Sequence, residues 1–173
     1  RSKDLLRLWS LQCQLRDAFG NVFHHDVAQD VGPDPGAVLV LVGRVNDYEV
    51  VVIHDAARPL VDVFIINQVV KAAIEHGAAT AYVDVTDTIA VKLPKEEIAG
   101  FAPRHTLASI QTPQAFKLDL LLKAHKKASS NAATDDCSLV LDLPHKVKLV
   151  KGDKKYHKVT TPEDIKYLEG LLK

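Results

Sequence analysis

The chain has 173 residues, which is enough for one domain with a sizeable core and too few for two such domains. Its 22 basic residues balance its 22 acidic residues, and this neutral charge argues against a nucleic-acid-binding protein, which would normally be basic. No apolar run is long enough to cross a bilayer, so membrane insertion is not expected. With two distant cysteines and no signal peptide, we expect a cytoplasmic protein without a disulfide framework.

The first half of the chain predicts strands and a helix in alternation. Ala37–Val42 and Glu49–Ile53 are runs of small and β-branched residues, which indicate buried strands. A helix is predicted over Val63–His76, because its apolar residues recur with helical spacing and Gly77 follows as a C-cap. A third strand is predicted over Ala79–Val85. Strands that are apolar on both faces favour an α/β fold with a mostly parallel sheet and helices on both faces.

The other predicted elements are shorter or interrupted. One helix is predicted over Asp4–Phe19. Ile89–Leu107 contains two prolines and a glycine, which indicates a hairpin or a protruding arm. Further helices are predicted over Phe116–Ala128, over Thr134–Leu143 and after the N-cap Thr161, and strands over Lys146–Val150 and Tyr156–Thr160.

Polar residues that could bind phosphate follow the predicted strands. The second strand is followed by His54–Pro59 (HDAARP) and the third by Thr86–Thr88, while Lys158 precedes the last helix. Ligands of open α/β sheets bind beyond the carboxyl ends of the strands. Arg58 offers a bidentate fork for phosphate, and Lys158 offers a point charge. We therefore expect a phosphorylated substrate that is handled by positioning and charge neutralisation.

Each of these segments also has a simpler structural interpretation. An Asp-x-x-Arg pair such as Asp55 and Arg58 is often an ion pair that closes a turn at a strand end. Gln111–Gln114 could be a plain turn before a helix. The Thr161 segment is explained by helix capping alone, which leaves only Lys158 without a structural reason.

Other candidate sites have weaker support. His24–Asp26 has metal-ligand residue types, but neighbouring residues of a strand point in opposite directions, which favours a solvated loop. His54-Asp55 has the form of a metal-binding doublet, yet it follows a strand instead of lying on a helix with other histidines. The acids next to Cys137 should raise its pKa and so disfavour a nucleophilic role. No Walker loop, dinucleotide-binding loop or nucleophile elbow is found.

Five short motifs occur in a fixed order along the chain. They are HDAARP at His54–Pro59, VTDTI at Val85–Ile89, QTPQAF at Gln111–Phe116, TDD at Thr134–Asp136 and KVTTPED at Lys158–Asp164. Together they resemble the motifs of the sugar-alcohol phosphate cytidylyltransferases. The nearest resemblance is to the 2-C-methyl-D-erythritol 4-phosphate cytidylyltransferase family of the non-mevalonate isoprenoid pathway. The ribitol 5-phosphate cytidylyltransferases share most of the motifs and remain an alternative.

The resemblance implies one Rossmann-like nucleotidyltransferase domain over residues 1–173. Such enzymes join CTP to a polyol phosphate and release pyrophosphate, with Mg²⁺ held mainly by the phosphates of CTP. The family forms homodimers through an arm, which corresponds to residues 89–107 here. The resemblance therefore implies CTP, a polyol phosphate and a second copy of the chain as partners.

The resemblance also implies a role for each matching residue. Asp55 and Arg58 would orient the polyol phosphate, and Ala56 would lie against the nucleotide. Two threonines, Thr88 and Thr112, would hydrogen-bond the acceptor. The catalytic residue would be Lys158, which would neutralise the α-phosphate in the transition state; no residue is expected to bind a metal.

Two motifs of that family have no match in this chain. The Gly-rich loop A-A-G-x-G-x-R, which wraps the triphosphate of CTP, is not found, and residues 1–36 resemble the helix that follows such a loop. The arginine that binds the acceptor phosphate has no match directly before Gln111, although Arg104 lies nearby. The alternative of another class is therefore a non-catalytic binding domain that has lost the CTP loop.

Overall fold

The structure is a computed structural model that describes residues 38–45, 48–128 and 135–171. The predicted helix Asp4–Phe19 and the His24–Asp26 segment lie outside these residues. None of the helices described is long and apolar enough to cross a membrane. The helices are α1 (Val63–His76), α2 (Leu118–Lys127), α3 (Asp136–Leu141) and α4 (Pro162–Leu171). The strands are β1 (Val38–Val45), β2 (Tyr48–Asp55), β3 (Ala78–Asp84), β4 (Ala90–Lys92), β5 (Ile98–Phe101), β6 (Ala108–Lys117) and β7 (Lys148–Lys151).

The main sheet is mixed, with the strand order β1-β2-β6-β3-β7. As predicted, β2 and β3 run in the same direction, and β7 is parallel to β3. However, β6 lies antiparallel between β2 and β3, and β1 pairs antiparallel with β2. The sheet is therefore not mostly parallel as predicted, because the chain leaving β3 returns beside it as β6 instead of crossing over.

Helices cover both faces of the sheet, as predicted from strands whose residues are apolar on both faces. Val50 and Val52 pack into one hydrophobic cluster with α1, whereas Val51 packs into the other with α2 and α3. Successive residues of a strand point to opposite faces, so each face of β2 is buried by its own helical layer. The predicted α/β class is confirmed.

Helix α1 begins and ends where the sequence predicts. The Asp62 side chain accepts a hydrogen bond from the N–H of Ile65 at 3.1 Å and so caps the first turn. At the other end, Gly77 has a φ of 90° and donates its N–H to the carbonyl of Ala73 at 2.7 Å. A Cβ at Gly77 would lie 2.6 Å from His145 Nε2, so that side chain would have to move, but it is the positive φ that favours glycine here.

Two segments differ from their predicted structure. Gln111–Gln114, for which a plain turn was the simpler interpretation, lies in β6, and so does Phe116, where a helix was predicted to begin. The predicted strand Tyr156–Thr160 is irregular. Two of its backbone groups find partners in the turn after β2: the carbonyl of Tyr156 accepts from Arg58 Nη1, and the N–H of Val159 donates to the carbonyl of Ala57, both at 2.8 Å.

The predicted arm Ile89–Leu107 is the long connection between β3 and β6. It contains β4 and β5, which form a separate two-stranded antiparallel sheet. At its base the N–H of Ala102 donates to the carbonyl of Ile89 at 2.9 Å. Its large apolar side chains are 42 to 65% exposed: Ile89, Val91, Leu93, Ile98 and Phe101.

Candidate active site

A pocket of about 440 Å³ opens at the carboxyl end of β2. Its walls come from β2 and the turn after it, from β6, from the start of α3 and from the segment between β7 and α4. This is the edge at which open α/β sheets bind ligands. The lining residues are Ile53, Asp55, Arg58, Ile110, Gln111, Thr112, Gln114, Asp135, Asp136 and Lys158. The structure thus brings together four of the predicted site residues: Asp55, Arg58, Thr112 and Lys158.

The carboxylate of Asp55 contacts both predicted phosphate-binding cations. Its Oδ2 lies 3.2 Å from Arg58 Nε and 3.3 Å from Lys158 Nζ. Arg58 also donates from Nη1 to the carbonyl of Tyr156 at 2.8 Å, and its side chain is only 13% exposed, against 43% for Lys158. Arg58 is therefore a fixed cation whose ion pair with Asp55 closes the turn, which is the simpler interpretation of these two residues. Lys158 is the more accessible of the two cations.

Burial lowers the pKa of Arg58, and the adjacent Asp55 carboxylate opposes that shift. A guanidinium stays protonated at neutral pH even so. Its five N–H donors allow it to hold two protein oxygens and still donate to a ligand in the pocket. The ion pair with Asp55 is therefore compatible with phosphate binding.

A fully buried histidine ties Thr112 to the turn after β2. The Nε2 of His54 lies 3.1 Å from the carbonyl of Arg58, and because a carbonyl only accepts, Nε2 carries the proton. Nδ1 then accepts from the Thr112 hydroxyl at 3.0 Å, and that oxygen accepts from the N–H of Asp55 at 2.9 Å. The sequence predicted no role for His54 in this site, because its contacts are with residues that lie elsewhere in the chain.

We expect His54 to make the protein less stable as the pH falls. Burial, partly opposed by the Arg58 carbonyl and by Asp55, lowers the pKa of His54 to about 4. In the unfolded chain the pKa is about 6.5, so the unfolded state binds the proton first and gains stability as the pH drops. The free energy of unfolding should therefore fall by up to about 1.4 kcal/mol per pH unit between these two pKa values.

Urea unfolding at a series of pH values between about 7 and 5 measures this slope. His54→Asn removes the titrating ring, and its amide oxygen can still accept from Thr112. The variant should show a shallower slope than the wild type. His125→Asn is the matched control, because the His125 side chain is 52% exposed. Equal slopes in wild type and His54→Asn would show that His54 does not carry the effect.

Two predicted site residues do not line this pocket. Ala56 lies in the turn between Asp55 and Arg58, and it is not among the lining residues. Thr88 lies at the base of the arm, where its hydroxyl accepts from Arg104 Nη2 at 3.3 Å. Arg104, which the sequence analysis left without a role, is therefore a neighbour of Thr88.

The acidic pair after residue 134 contributes to the pocket wall and is held by protein contacts. Asp135 caps α3, since one oxygen accepts from the N–H of Ser138 at 2.9 Å. Its other oxygen accepts from Gln114 Nε2 at 3.0 Å. Asp136 lies 2.8 Å from Nε2 of His125. In the part of the chain that the structure describes, no group of three acidic, histidine or cysteine residues could hold a metal ion.

The chain matches one known protein family over most of its length. The family model of IspD, 2-C-methyl-D-erythritol 4-phosphate cytidylyltransferase, matches residues 37–173. The chain belongs to this family. The match includes every residue of the pocket and each motif on which the resemblance rested.

Curated relatives carry the same family name. The protein of that name from Desulforamulus reducens is 40% identical over 166 residues, which cover 93% of this chain and 71% of the relative. The one from Caldanaerobacter subterraneus subsp. tengcongensis is 46% identical over 130 residues, covering 74% of this chain and 57% of the relative. The chain therefore spans between about half and three quarters of the length of these relatives.

Solved structures of the 2-C-methyl-D-erythritol 4-phosphate cytidylyltransferase family share the fold. The enzyme of that name from Thermus thermophilus superposes with a TM-score of 0.65 at 36% identity, covering 71% of this chain and 61% of that structure. The 4-diphosphocytidyl-2C-methyl-D-erythritol synthase from Anaerococcus prevotii gives a TM-score of 0.64 at 30% identity, with 69% and 54% covered. The predicted nucleotidyltransferase fold is confirmed.

Cys137 is unsuited to act as a nucleophile in this cytidylyltransferase fold. Its side chain is buried, and burial raises the pKa of the thiol to about 12. The adjacent Asp135 and Asp136 add to the shift, as the sequence predicted, but burial is the larger cause. The thiol therefore stays protonated at neutral pH.

Proposed function

We propose that this protein is a cytidylyltransferase that joins CTP and 2-C-methyl-D-erythritol 4-phosphate. The products are CDP-methylerythritol and pyrophosphate, as in non-mevalonate isoprenoid synthesis. The observation that carries the proposal is the meeting of Asp55, Arg58, Thr112 and Lys158 in one pocket. These residues come from distant parts of the sequence, and the names of the relatives agree with the assignment.

In the proposed reaction, a phosphate oxygen of the acceptor attacks the α-phosphorus of CTP. The new P–O bond forms as the bond between the α-phosphorus and the bridging oxygen breaks, and pyrophosphate leaves with that oxygen. Arg58, held by Asp55 and Tyr156, fixes the acceptor phosphate, and Lys158 neutralises the charge that gathers on the α-phosphate. Fixing both phosphates in line lowers the entropic part of the barrier.

We propose that Mg²⁺ reaches the site as a complex with the phosphates of CTP. The described pocket residues form no metal cage, and the carboxylates of Asp55 and Asp135 are already held by protein donors. A triphosphate supplies the oxygen ligands that Mg²⁺ prefers. The metal would then spread the charge of the leaving pyrophosphate.

The proposed activity is tested with radiolabelled CTP and two acceptors, 2-C-methyl-D-erythritol 4-phosphate and ribitol 5-phosphate. We expect a labelled CDP-alcohol from the first acceptor and much less from the second. Product from ribitol 5-phosphate alone would assign the alternative substrate. No product from either, with calorimetric binding of an acceptor, would identify a non-catalytic binding domain.

We also propose that two copies associate through the arm. A two-stranded hairpin is marginally stable alone, and this one exposes its large apolar side chains to solvent. A second copy would bury them in an isologous interface. Because Thr88 lies at the base of the arm and not in the pocket of its own chain, its expected contact with the acceptor requires the partner's pocket.

Sedimentation or light scattering at micromolar concentration should find a dimer. Phe101→Ser should weaken it, because Phe101 is 65% exposed on the arm and would lose its buried contact. Phe64→Ser is the matched control, since Phe64 is 69% exposed but lies on α1. A monomeric wild type, or equal weakening by both substitutions, would contradict an interface through the arm.

A further inference from the structure

The segment that carries Lys158 has no regular secondary structure. Residues 152–160 connect β7 to α4 as turns and irregular chain. A cation that stabilises a transition state works best when it is held in place before the reaction. The contacts of this segment therefore identify what holds Lys158 in position.

Tyr156 makes three anchoring contacts two residues before Lys158. Its side chain is 4% exposed and belongs to the hydrophobic cluster under α1. Its hydroxyl donates to Oδ2 of Asp62 at 2.8 Å, and its carbonyl accepts from Nη1 of Arg58 at 2.8 Å. The other oxygen of Asp62 caps α1, so the tyrosine hydroxyl is tied to the first turn of a packed helix.

Neighbouring residues reinforce the same attachment. Lys155 Nζ donates to Asp62 at 2.8 Å, and the N–H of Val159 donates to the carbonyl of Ala57 at 2.8 Å. Lys158 therefore lies between two fixed points, Tyr156 on one side and Val159 on the other. These contacts fix the backbone on both sides of Lys158. The Lys158 side chain is oriented by Asp55, whose Oδ2 lies 3.3 Å from Lys158 Nζ.

Asp62 is charged at neutral pH, which strengthens its bond to Tyr156. Burial would raise the pKa of this carboxyl, but hydrogen bonds from Lys155, Ile65 and Tyr156 outweigh burial and lower the pKa. Hydrogen bonds to an ionised acceptor are roughly twice as strong as neutral ones. The Tyr156 hydroxyl is thus held by one of the stronger contacts of the segment.

We propose that Tyr156 is a positioning residue that, through its hydroxyl bond to Asp62, holds Lys158 at the reaction site. The inference rests on the proposed function, because it concerns the catalytic placement of Lys158. Tyr156 touches no substrate in this scheme. It acts on the reaction through the lysine two residues later, whereas its main-chain carbonyl, which accepts from Arg58, is unchanged by a substitution of the side chain.

Tyr156→Phe tests the proposal, because it removes one oxygen and leaves the buried ring in place. We expect kcat to fall about tenfold, the effect of one lost hydrogen bond to a charged group, with smaller changes in both KM values. In a Lys158→Ala background the same substitution should change kcat by less than about twofold, since residues acting through one another are not additive. Equal effects in the two backgrounds would overturn the proposal.

Hydrogen exchange of the ligand-free protein gives a readout that does not depend on activity. Tyr156→Phe should speed exchange of the Val159 N–H and leave that of α1 unchanged. Tyr167→Phe is the matched control, because Tyr167 is 50% exposed in α4, and it should alter neither kcat nor exchange. Unchanged exchange in Tyr156→Phe overturns the inference even if the enzyme is active. If the wild type has no transferase activity, the proposed function is refuted. Hydrogen exchange of the Val159 N–H then still shows whether Tyr156 orders residues 152–160.

Discussion

Lys158→Ala is expected to lower kcat by about 10²-fold or more, the typical effect of deleting one preorganised electrostatic group. Phosphoryl transfer gathers negative charge on the α-phosphate, so a fixed cation contributes more in the transition state than in the bound substrates. The loss should therefore appear in kcat more than in either KM, as steady-state kinetics with CTP and the acceptor will measure.

The fold should tolerate this substitution. The Lys158 side chain is 43% exposed and its ion pair with Asp55 measures 3.3 Å, so its loss costs at most about 1 kcal/mol of stability. Lys154→Ala is the matched control, because Lys154 is an exposed lysine of the same segment. If Lys158→Ala retained the wild-type kcat, the catalytic assignment would be wrong.

Arg58→Lys should raise the KM for the acceptor about tenfold, on the scale of one lost charge-assisted hydrogen bond. Lysine keeps the charge but cannot hold Asp55, the Tyr156 carbonyl and a phosphate at once as the planar guanidinium can. Because Arg58 is assigned to the acceptor phosphate and not to CTP, the KM for CTP should change little. Kinetics with each substrate varied in turn separates these two constants.

The same substitution should lower the free energy of unfolding by about 1–3 kcal/mol, because the Tyr156 carbonyl loses its partner. Arg58 Nη1 is 2.8 Å from that carbonyl, and a lysine ammonium cannot bridge it and Asp55 in the same geometry. Urea unfolding measures this change. A rise of both KM values by the same factor would mean that Arg58 acts only through the stability of the turn.

Much of the fold followed from local sequence patterns. The boundaries of α1 were predictable because Asp62 and Gly77 have strong conformational preferences of their own. Burial of β2 on both faces followed from its uninterrupted run of valines. The pairing of β6 did not follow, because it depends on contacts between distant residues, and Pro113 conceals the strand in the sequence.

The candidate site was predictable in its residue types and less so in its geometry. Strand-end chemistry indicated Asp55, Arg58 and Lys158, and the structure places them in contact. The role of His54 could not be predicted, since it depends on the distance to a threonine 58 positions later in the chain. That Thr88 lies outside the pocket could not be predicted either, because its position depends on the path that the arm takes.

The placement of β6 affects how the chain folds as it is synthesised. When residues up to the end of β3 have been made, β2 and β3 have no hydrogen-bonding partner between them, since β6 pairs with both. Their facing edges then present open rows of N–H and C=O groups, which attract other unfinished chains. The gap closes only after the ribosome has produced the arm and residues 108–117. We therefore expect a chain that ends within the arm, before β6, to aggregate more readily than the full chain.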